Sequence, residues 1–268
     1  IGVLLSPAHA IDLVSEDTDI FLTNPSISAE VPNVLIILDN TSNWSAANQG
    51  WSGTDITGDA TCGTGSGGAG FTGTKQGDAE LCAIYKTVAT LTDAVNVGLM
   101  MINDQDNGGY VRFAMASMNS TNRTALQTAV KAIETTGITD PTYKTAANTA
   151  MEHVMNDAFR YFNSFATYGG SGAASSVADA NAYTSSSKTT FNFGSAASTS
   201  TCGYDYIIWI GNGWPSGVES SSALTSTMTA AANLLNDSTN VTPNTTPTSA
   251  ACQGGKCNNT DAWARFLY

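Results

Sequence analysis

Oxygen-bearing side chains follow the most apolar segment of the sequence. Residues 34–38 (VLIIL) contain no polar side chain, and residues 39–43 (DNTSN) come directly after them. In open α/β sheets, ligands bind where loops leave the carboxyl ends of the strands. Carboxylate, amide and hydroxyl oxygens are also the ligands that hard cations prefer. The residues after Leu38 are therefore the first candidate for a functional site.

Other patterns that could do chemistry are weaker. Residues 104–109 (DQDNGG) open like a calcium-binding EF-hand loop, but the twelfth position is Met115 instead of the bidentate Glu. We interpret this segment as the turn of a hairpin. His153 lies on a predicted helix, and neither a Gly-x-Ser-x-Gly elbow nor a metal-ligating His pair accompanies it. We interpret His153 as structural and expect no enzymatic activity.

Charge and hydropathy limit the classes of partner. The formal net charge is -12, and only 12% of the residues are charged. An acidic chain with few Lys and Arg residues binds phosphate poorly, so we expect no nucleic-acid partner. No run after the first residues approaches the roughly twenty apolar residues of a membrane span, so we expect no transmembrane segment.

The first residues predict export. Residues 1–10 end in the small-x-small pattern Ala8-His9-Ala10 after an apolar run, which is typical of the end of a secretory signal. Cleavage would fall before Ile11, and residues 11–30 would form an extended N-terminal segment. The alternative is that residues 1–10 form a short buried strand.

The five cysteines are expected to serve as disulfides, because an exported protein without a Cys-x-x-Cys pair favours disulfides over a metal cluster. Cys252 and Cys257 bracket a flexible loop and can close a small ring. Cys62 and Cys82 flank a glycine-rich loop. Cys202 is then left unpaired, or is simply a small buried hydrophobe.

The elements that must position these residues are predicted from apolar periodicity. Residues 34–38 and 206–210 are both expected to be central strands covered on both sides. Residues 97–102 and 110–115 are expected to form an antiparallel edge hairpin. Helical spacing of apolar residues indicates helices near residues 81–95, 126–133, 147–162 and 224–235. This order predicts an α/β fold with a doubly wound, mostly parallel sheet and an antiparallel edge strand.

Three long segments are rich in small and polar residues. They are residues 44–79, 166–201 and 236–260. Loops of this length inside a compact domain are usually functional or disordered. We expect them to lie outside the core and to decorate the ends of the sheet.

Several segments together carry a family pattern. They are residues 19–25 (DIFLTNP), 32–41 (PNVLIILDNT), 97–101 (VGLMM), 109–113 (GYVRF), 210–213 (IGNG) and 261–267 (DAWARFL). Together they resemble the N-terminal region of the PilC/PilY proteins of type IV pili. The resemblance runs through nearly the whole chain after Ala10, and it implies a von Willebrand factor A-like domain with long loop insertions over residues 31–268.

The resemblance also implies a function. Members of this family are adhesins at the pilus tip that are exported through the periplasm, sit on minor pilins, contact host or abiotic surfaces, and support pilus assembly and twitching. In the family a C-terminal β-propeller follows, often with a calcium loop, and we expect residues up to Tyr268 to contain no part of it. The alternative is a stand-alone secreted module that binds its ligand through a metal. A secreted hydrolase is less favoured because no nucleophile and base pair is evident.

The same resemblance implies a set of metal ligands. Residues 39–43 resemble the Asp-x-Ser-x-Ser signature of the metal-ion-dependent adhesion site, in which oxygens from three loops bind Mg²⁺. Asn43 stands where the signature has its second Ser, and Asn212 replaces the acid of the third loop. Loss of carboxylates weakens attraction for Mg²⁺ or Ca²⁺, so we expect weak or absent binding and no certain cofactor. The implied ligands are Asp39, Thr41, Asn43, Asn212 and either Thr139 or Thr142.

Overall fold

The computed structural model describes a set of segments that contains the predicted sheet and helices. These are residues 31–40, 56, 58–71, 75–103, 108–133, 151–169, 176–194, 204–211, 221–234, 252–253, 256–257, 263 and 266. The predicted signal remnant and the extended N-terminal segment lie outside the described residues.

Four strands and four helices form the framework. The strands are β1 (Asn33–Leu38), β2 (Asn96–Ile102), β3 (Gly109–Ser117) and β4 (Asp205–Ile210). The helices are α1 (Gln76–Thr90), α2 (Ser120–Lys131), α3 (Met151–Phe162) and α4 (Ser221–Leu234). A short 3₁₀ helix spans Ala180–Ala182, and a small hairpin joins β5 (Cys252–Gln253) to β6 (Lys256–Cys257).

The strands form a mixed, mostly parallel sheet. Its strand order is β3-β2-β1-β4, with β1 parallel to both of its neighbours and β2 antiparallel to β3. This confirms the predicted α/β sheet with one antiparallel edge strand. β1 is central, and Leu35, Ile37 and Leu38 have no solvent exposure. An apolar side chain at every position is what a parallel strand with two covered faces requires.

The helices bury the stripes that their periodicity predicts. In α1 the buried side chains include Leu81, Ile84 and Val88, which recur at intervals of three and four residues. α2 begins at an Asn119 cap, whose side-chain oxygen accepts the Asn122 N–H at 3.0 Å. α1 packs against α2, and α3 contacts both β3 and α4. Residues from all four strands and from these helices join in one core.

Side-chain hydrogen bonds hold the amino ends of three strands in register. The Asn96 side-chain amide donates to the Asn33 side-chain oxygen at 2.8 Å, and the Asn33 side-chain amide donates to the Asp205 carboxylate at 2.9 Å. Burial raises the pKa of Asp205, and the Asn33 bond partly offsets this. These contacts fix β1, β2 and β4 at the end of the sheet opposite the candidate site.

The prediction for β4 is wrong in one respect. Its last residues were expected to form a central strand covered on both sides, but β4 is the outermost strand on its side of the described sheet. The exposed fractions are 51% for Tyr206 and 50% for Ile208. A short apolar run predicts a strand, but it does not distinguish a central strand from an edge strand whose apolar face is uncovered.

The expectation that the first two long segments lie outside the core is also wrong for the parts that the structure describes. Cys62 and Phe71 from the first segment are buried, and so are Ala182 and Phe191 from the second. Aromatic side chains and a disulfide supply apolar surface that a count of Gly, Ser and Ala overlooks. The third segment is described only at the β5–β6 hairpin.

Candidate functional site

The carboxyl end of β1 carries two buried polar residues, Asp39 and Asn40, with exposed fractions of 1% and 0%. The Asp39 N–H donates to the Ile210 carbonyl oxygen at 2.9 Å, at the end of β4. The Asn40 side-chain oxygen accepts the Ile102 N–H at 3.0 Å, at the end of β2. The end of β1 is thus bonded to both neighbouring strands at the point where the strand order reverses. In an open α/β sheet this is the usual place for a ligand.

The predicted metal ligands can be located only in part. Asp39 lies directly after β1, as the sequence indicates. Gly211 directly follows β4, so the loop that contains Asn212 begins beside Asp39. Thr41, Asn43, Thr139, Thr142 and Asn212 lie outside the described residues. The metal site therefore stays a prediction, and the residues that the structure describes contain no group of three His, Cys, Asp or Glu side chains that could hold a metal ion.

A second polar cluster lies on α3. Its members Glu152, His153, Asn156 and Asp157 are all buried. The Asp157 carboxylate accepts the Gly109 N–H at 2.9 Å and the Tyr168 N–H at 2.7 Å. One side chain thereby ties the start of β3 and the segment after α3 to the same helix turn.

Close packing against Asp157 explains why residue 108 is a glycine. Gly108 has a φ of +68°, and a Cβ added to it would lie 2.0 Å from an Asp157 carboxylate oxygen. The Asn103 N–H donates to the Gly108 carbonyl oxygen at 2.9 Å, so β2 and β3 close toward one another here. Glycine tolerates both the positive φ and the close approach. The backbone at Gly108 and Gly109 therefore packs closely against Asp157.

Burial changes the protonation of this cluster. It raises the pKa of Asp157 to about 7, while the hydrogen bonds from Tyr168 and Gly109 favour the charged carboxylate and partly offset the shift. The imidazole of His153 lies against Tyr168, with ring centroids 4.6 Å apart and its Nε2 3.4 Å from the Tyr168 hydroxyl. Asp157 therefore gains or loses a proton near neutral pH.

The α3 cluster has the contacts of a structural element. Both Asp157 oxygens accept backbone N–H groups, so the carboxylate joins two chain segments to α3. Arg160 donates to the Asn156 side-chain oxygen and to the Ala166 carbonyl, each at 2.9 Å. The sequence left open whether His153 lies on the helix surface or in the core, and its 6% exposure places it in the core.

The outer edge of β3 is covered by residues 176–194, here called the edge clasp. The Val111 N–H donates to the Tyr183 hydroxyl at 3.0 Å, and the Ala114 N–H donates to the Asp179 carboxylate at 2.9 Å. The Met115 N–H donates to the hydroxyl of Tyr161 on α3 at 2.7 Å. Burial raises the pKa of both tyrosines, so they remain neutral. The sequence analysis missed these residues.

The predicted disulfide between Cys62 and Cys82 is present, with an S–S distance of 2.04 Å. Asp59 accepts the N–H groups of Thr61 and Cys62 and pairs with Lys86, which together hold its pKa below the usual range, with the Lys86 bond as the largest cause. The glycine-rich loop is thus fastened to α1.

The remaining cysteines are less well defined. The β5–β6 ladder places Cys252 opposite Cys257, so their backbones run side by side. Their disulfide stays a prediction. Cys202 lies outside the described residues.

No protein-family model, curated protein or solved structure matches the chain. Within the described segments, no helix has both the length and the apolar character needed to cross a membrane.

Proposed function

We propose that this chain is the von Willebrand factor A-like domain of a tip adhesin and assembly factor of a type IV pilus, of the kind found in PilC/PilY proteins. One observation carries the proposal: the strand order β3-β2-β1-β4, with an antiparallel β3 and with Asp39 directly after the central strand. The family resemblance implies this arrangement, and the geometry of the sheet is compatible with it.

The end of the sheet where the parallel strands have their carboxyl ends, here called the carboxyl edge, supports a binding function. Backbone and side-chain bonds from Asp39 and Asn40 join the end of β1 to β2 and β4, so the loops that leave this edge start from fixed positions. Loops on a rigid scaffold commonly carry binding residues. A partner would meet this edge, and the framework behind it would stay unchanged.

Cysteine chemistry and charge support a location outside the cytoplasm. The Cys62–Cys82 disulfide is of a type that persists in oxidising compartments. A net charge of -12 suits a soluble, exported domain better than one that binds nucleic acid. In this proposal the chain passes through the periplasm, docks on minor pilins and meets a host or abiotic surface at the pilus tip.

Binding is favoured over catalysis by the state of the buried polar groups. His153 contacts Tyr168, and Asp157 accepts two backbone N–H groups. Catalysis would require a nucleophile with a base within hydrogen-bond reach, and the sequence predicts no such pair.

Asp39 also supports a second candidate function, in which the chain is a secreted module that binds its ligand through Mg²⁺. We expect titration calorimetry with MgCl₂ to show no binding at micromolar metal, because Asn43 and Asn212 stand in for better ligands. Micromolar binding that disappears in Asp39→Asn would favour the metal-dependent module.

A complementation experiment tests the proposed function. The gene is deleted in the bacterium that encodes it, and the strain is restored with the wild-type chain, with Asp39→Asn or with Asp93→Asn as a matched control at an exposed site. We expect few surface pili in the deletion strain and normal piliation in all three restored strains. Adhesion should fall only with Asp39→Asn, because only that residue lies at the carboxyl edge.

Two results would contradict the proposal. Normal piliation and adhesion in the deletion strain would show that the chain is not a pilus-tip factor. Equal adhesion of the two Asp variants, with both proteins folded by circular dichroism, would show that the carboxyl edge of the sheet does not bind the surface.

A further inference from the structure

A line of contacts crosses the carboxyl edge of the sheet from α3 to β1. The Asp157 carboxyl group accepts the Gly109 N–H at 2.9 Å, and Gly109 at the start of β3 lies opposite Ile102 at the end of β2. The Ile102 N–H donates to the side-chain oxygen of Asn40, the residue after Asp39, at 3.0 Å. This strand pair is therefore held from two sides, by Asp157 at the outer edge of the sheet and by Asn40 at its centre.

The Asp157 carboxyl group has no access to solvent. Its exposed fraction is 0%, and its two oxygens accept the N–H groups of Gly109 and Tyr168. A Cβ added to Gly108 would lie 2.0 Å from one of these oxygens, so the Gly108 backbone lies directly against the carboxyl group. A buried water needs a space of its own between polar partners, and this packing leaves none on that side. Water reaches this side of Asp157 only if Gly108 and Gly109 move away from α3.

Burial is the largest influence on the charge of Asp157, and it raises the pKa of this carboxyl group to about 7. The backbone N–H groups of Tyr168 and Gly109 favour the carboxylate, as do the charges of Arg160 and His153 on the same helix. Together these effects offset burial only in part. The close packing around Asp157 therefore favours the protonated acid.

The other elements around Asp157 contribute tyrosines. Tyr168 lies in the segment after α3, and Tyr183 lies in the edge clasp. Burial and, to a smaller extent, Asp157 raise the pKa of Tyr183, so its phenol stays neutral. Asp104 and Asp106 lie outside the described residues, so an experiment must separate their titration from that of Asp157.

We propose that Asp157 and the backbone of Gly108 and Gly109 form a pH-sensitive switch at the carboxyl edge of the sheet. The closed state has the contacts described above, with a proton on Asp157. In the open state Gly108 and Gly109 leave α3, and water hydrates the ionised carboxylate. Asp157 then no longer holds the start of β3, and the end of β2 loses its support on that side.

Proton linkage gives the direction of the response. In the open state Asp157 has its ordinary pKa of 3.8, below the closed-state value of about 7. The proton therefore stabilises the closed state fully below about pH 4, and this stabilisation is lost as pH rises to about 7. Because opening releases one proton, the equilibrium constant for opening should rise by up to about tenfold for each pH unit in this range and then level off. If the carboxyl edge binds a partner, binding should weaken over the same range, and that consequence alone rests on the proposed function.

Amide hydrogen exchange on the whole chain tests the proposal from about pH 4 to about pH 8, with rates corrected for the intrinsic effect of pH. The Asn103 N–H donates to the Gly108 carbonyl, so the amides of Gly109 and Asn103 both report opening. The Asn96 N–H donates to the Pro32 carbonyl at the other end of the sheet and reports opening of the whole sheet. We expect larger opening constants for Gly109 and Asn103 than for Asn96, with a rise up to about pH 7.

Two matched variants identify the titrating group. Asp157→Asn removes the proposed switch, and Asp106→Asn removes a carboxyl group two residues before Gly108. The pH response of the Gly109 and Asn103 amides should be the same in Asp106→Asn as in the wild type and absent in Asp157→Asn. A response that persists in Asp157→Asn, or that is lost in Asp106→Asn, would overturn the proposal.

The wild-type chain alone supplies a readout that does not depend on a variant folding. Opening constants of Gly109 and Asn103 that do not change with pH would show that Asp157 does not control this contact. Opening constants equal to that of Asn96 at every pH would also overturn the proposal, because α3 would then release these residues only when the whole sheet unfolds.

Discussion

The two edges of the sheet differ in how their backbone groups are satisfied. At β3, side chains from the edge clasp and from α3 accept the N–H groups of Val111, Ala114 and Met115. At β4, residues 205, 207 and 209 turn their backbone groups outward, with no described strand beyond them. A long exposed edge strand invites pairing with other chains. Among the described residues, the β3 edge is closed by side chains and the β4 edge is not.

The contacts that cover the outer edge of β3 also explain why the connection between α3 and β4 is long. The clasp returns to the sheet, where the Asp179 N–H donates to the Val111 carbonyl at 2.9 Å, and it buries Ala182 and Phe191. Its hydrogen bonds satisfy groups that would otherwise be buried without partners. The clasp is therefore part of the folded framework.

Removal of the clasp's aromatic anchor should have the largest effect. The ring of Phe191 is fully buried, with centroids 5.5 Å from Tyr161 and 5.3 Å from Tyr183. Phe191→Ala should lower the free energy of unfolding by about 3–5 kcal/mol, measured by urea denaturation. Phe193→Ala, at a partly exposed ring of the same clasp, is the control and should cost clearly less. Equal losses would mean that the clasp is not anchored through Phe191.

Asp157, which contacts the start of β3, should contribute the largest change of stability with pH. Its folded pKa of about 7 lies above the ordinary value of 3.8, so the folded state holds a proton that the unfolded chain releases between these values. The free energy of unfolding should therefore fall as pH rises from about 4 to about 7, by up to about 4 kcal/mol from this group, and change little above that range.

A comparison with Asp157→Asn isolates this group. The variant lacks the titration, and its amide cannot accept at both positions, so it should be less stable than the wild type at low pH. The difference in free energy of unfolding between the wild type and Asp157→Asn should become smaller as pH rises. Asp205→Asn at the open edge should show the same direction with a smaller change, because Asp205 is exposed. If the difference in free energy of unfolding between wild type and Asp157→Asn did not change with pH, the raised pKa would not belong to Asp157.

The smallest change in stability is expected when one tyrosine hydroxyl is removed at either edge of the sheet. Tyr183→Phe removes the acceptor of the Val111 N–H and should cost about 1–3 kcal/mol, because that buried donor loses its partner. Tyr206→Phe at the exposed edge should stay within about 0.5 kcal/mol of the wild type. Chemical denaturation of the two variants provides the comparison. A larger loss for Tyr206→Phe would reverse the roles given to the two edges.

The framework was predictable because local signals set it. The apolar run of β1 specified a covered strand, and the glycine-containing turn before Gly109 specified the hairpin of β2 and β3. Helical spacing near residues 81–95 and 126–133 predicted the two helices, although α1 (Gln76–Thr90) and α2 (Ser120–Lys131) both begin earlier. These signals depend on neighbours in sequence, which is why they were sufficient.

The difference between the edges was not predictable, because it depends on contacts far apart in sequence. Val111 and Tyr183 are 72 residues apart, and Ala114 and Asp179 are 65 apart. In the same way, β4 and β1 have similar apolar composition, yet only β1 has a strand on each side. Composition does not tell which strand of a sheet lies at its edge.

The position of one candidate residue was predictable. Asp39 was expected directly after a buried strand, and the structure places it there, while its role as a ligand stays a prediction. The α3 cluster was missed because Glu152, His153, Asn156 and Asp157 form a polar face, which on a helix usually faces solvent. Here Gly108, Gly109 and Tyr168 lie over that face, and its polar groups are buried.

Hydrogen exchange resolved at single amides measures both edges in one experiment, on the wild-type chain in dilute solution. The amides of Val111, Ala114 and Met115 should be protected to nearly the full free energy of unfolding, because side chains hold them in the monomer. The amides of Ile207 and Trp209 should exchange far faster, because no strand of the described sheet pairs with them. Equal protection of the two sets in dilute protein would contradict the account, because the edges would then be equally closed.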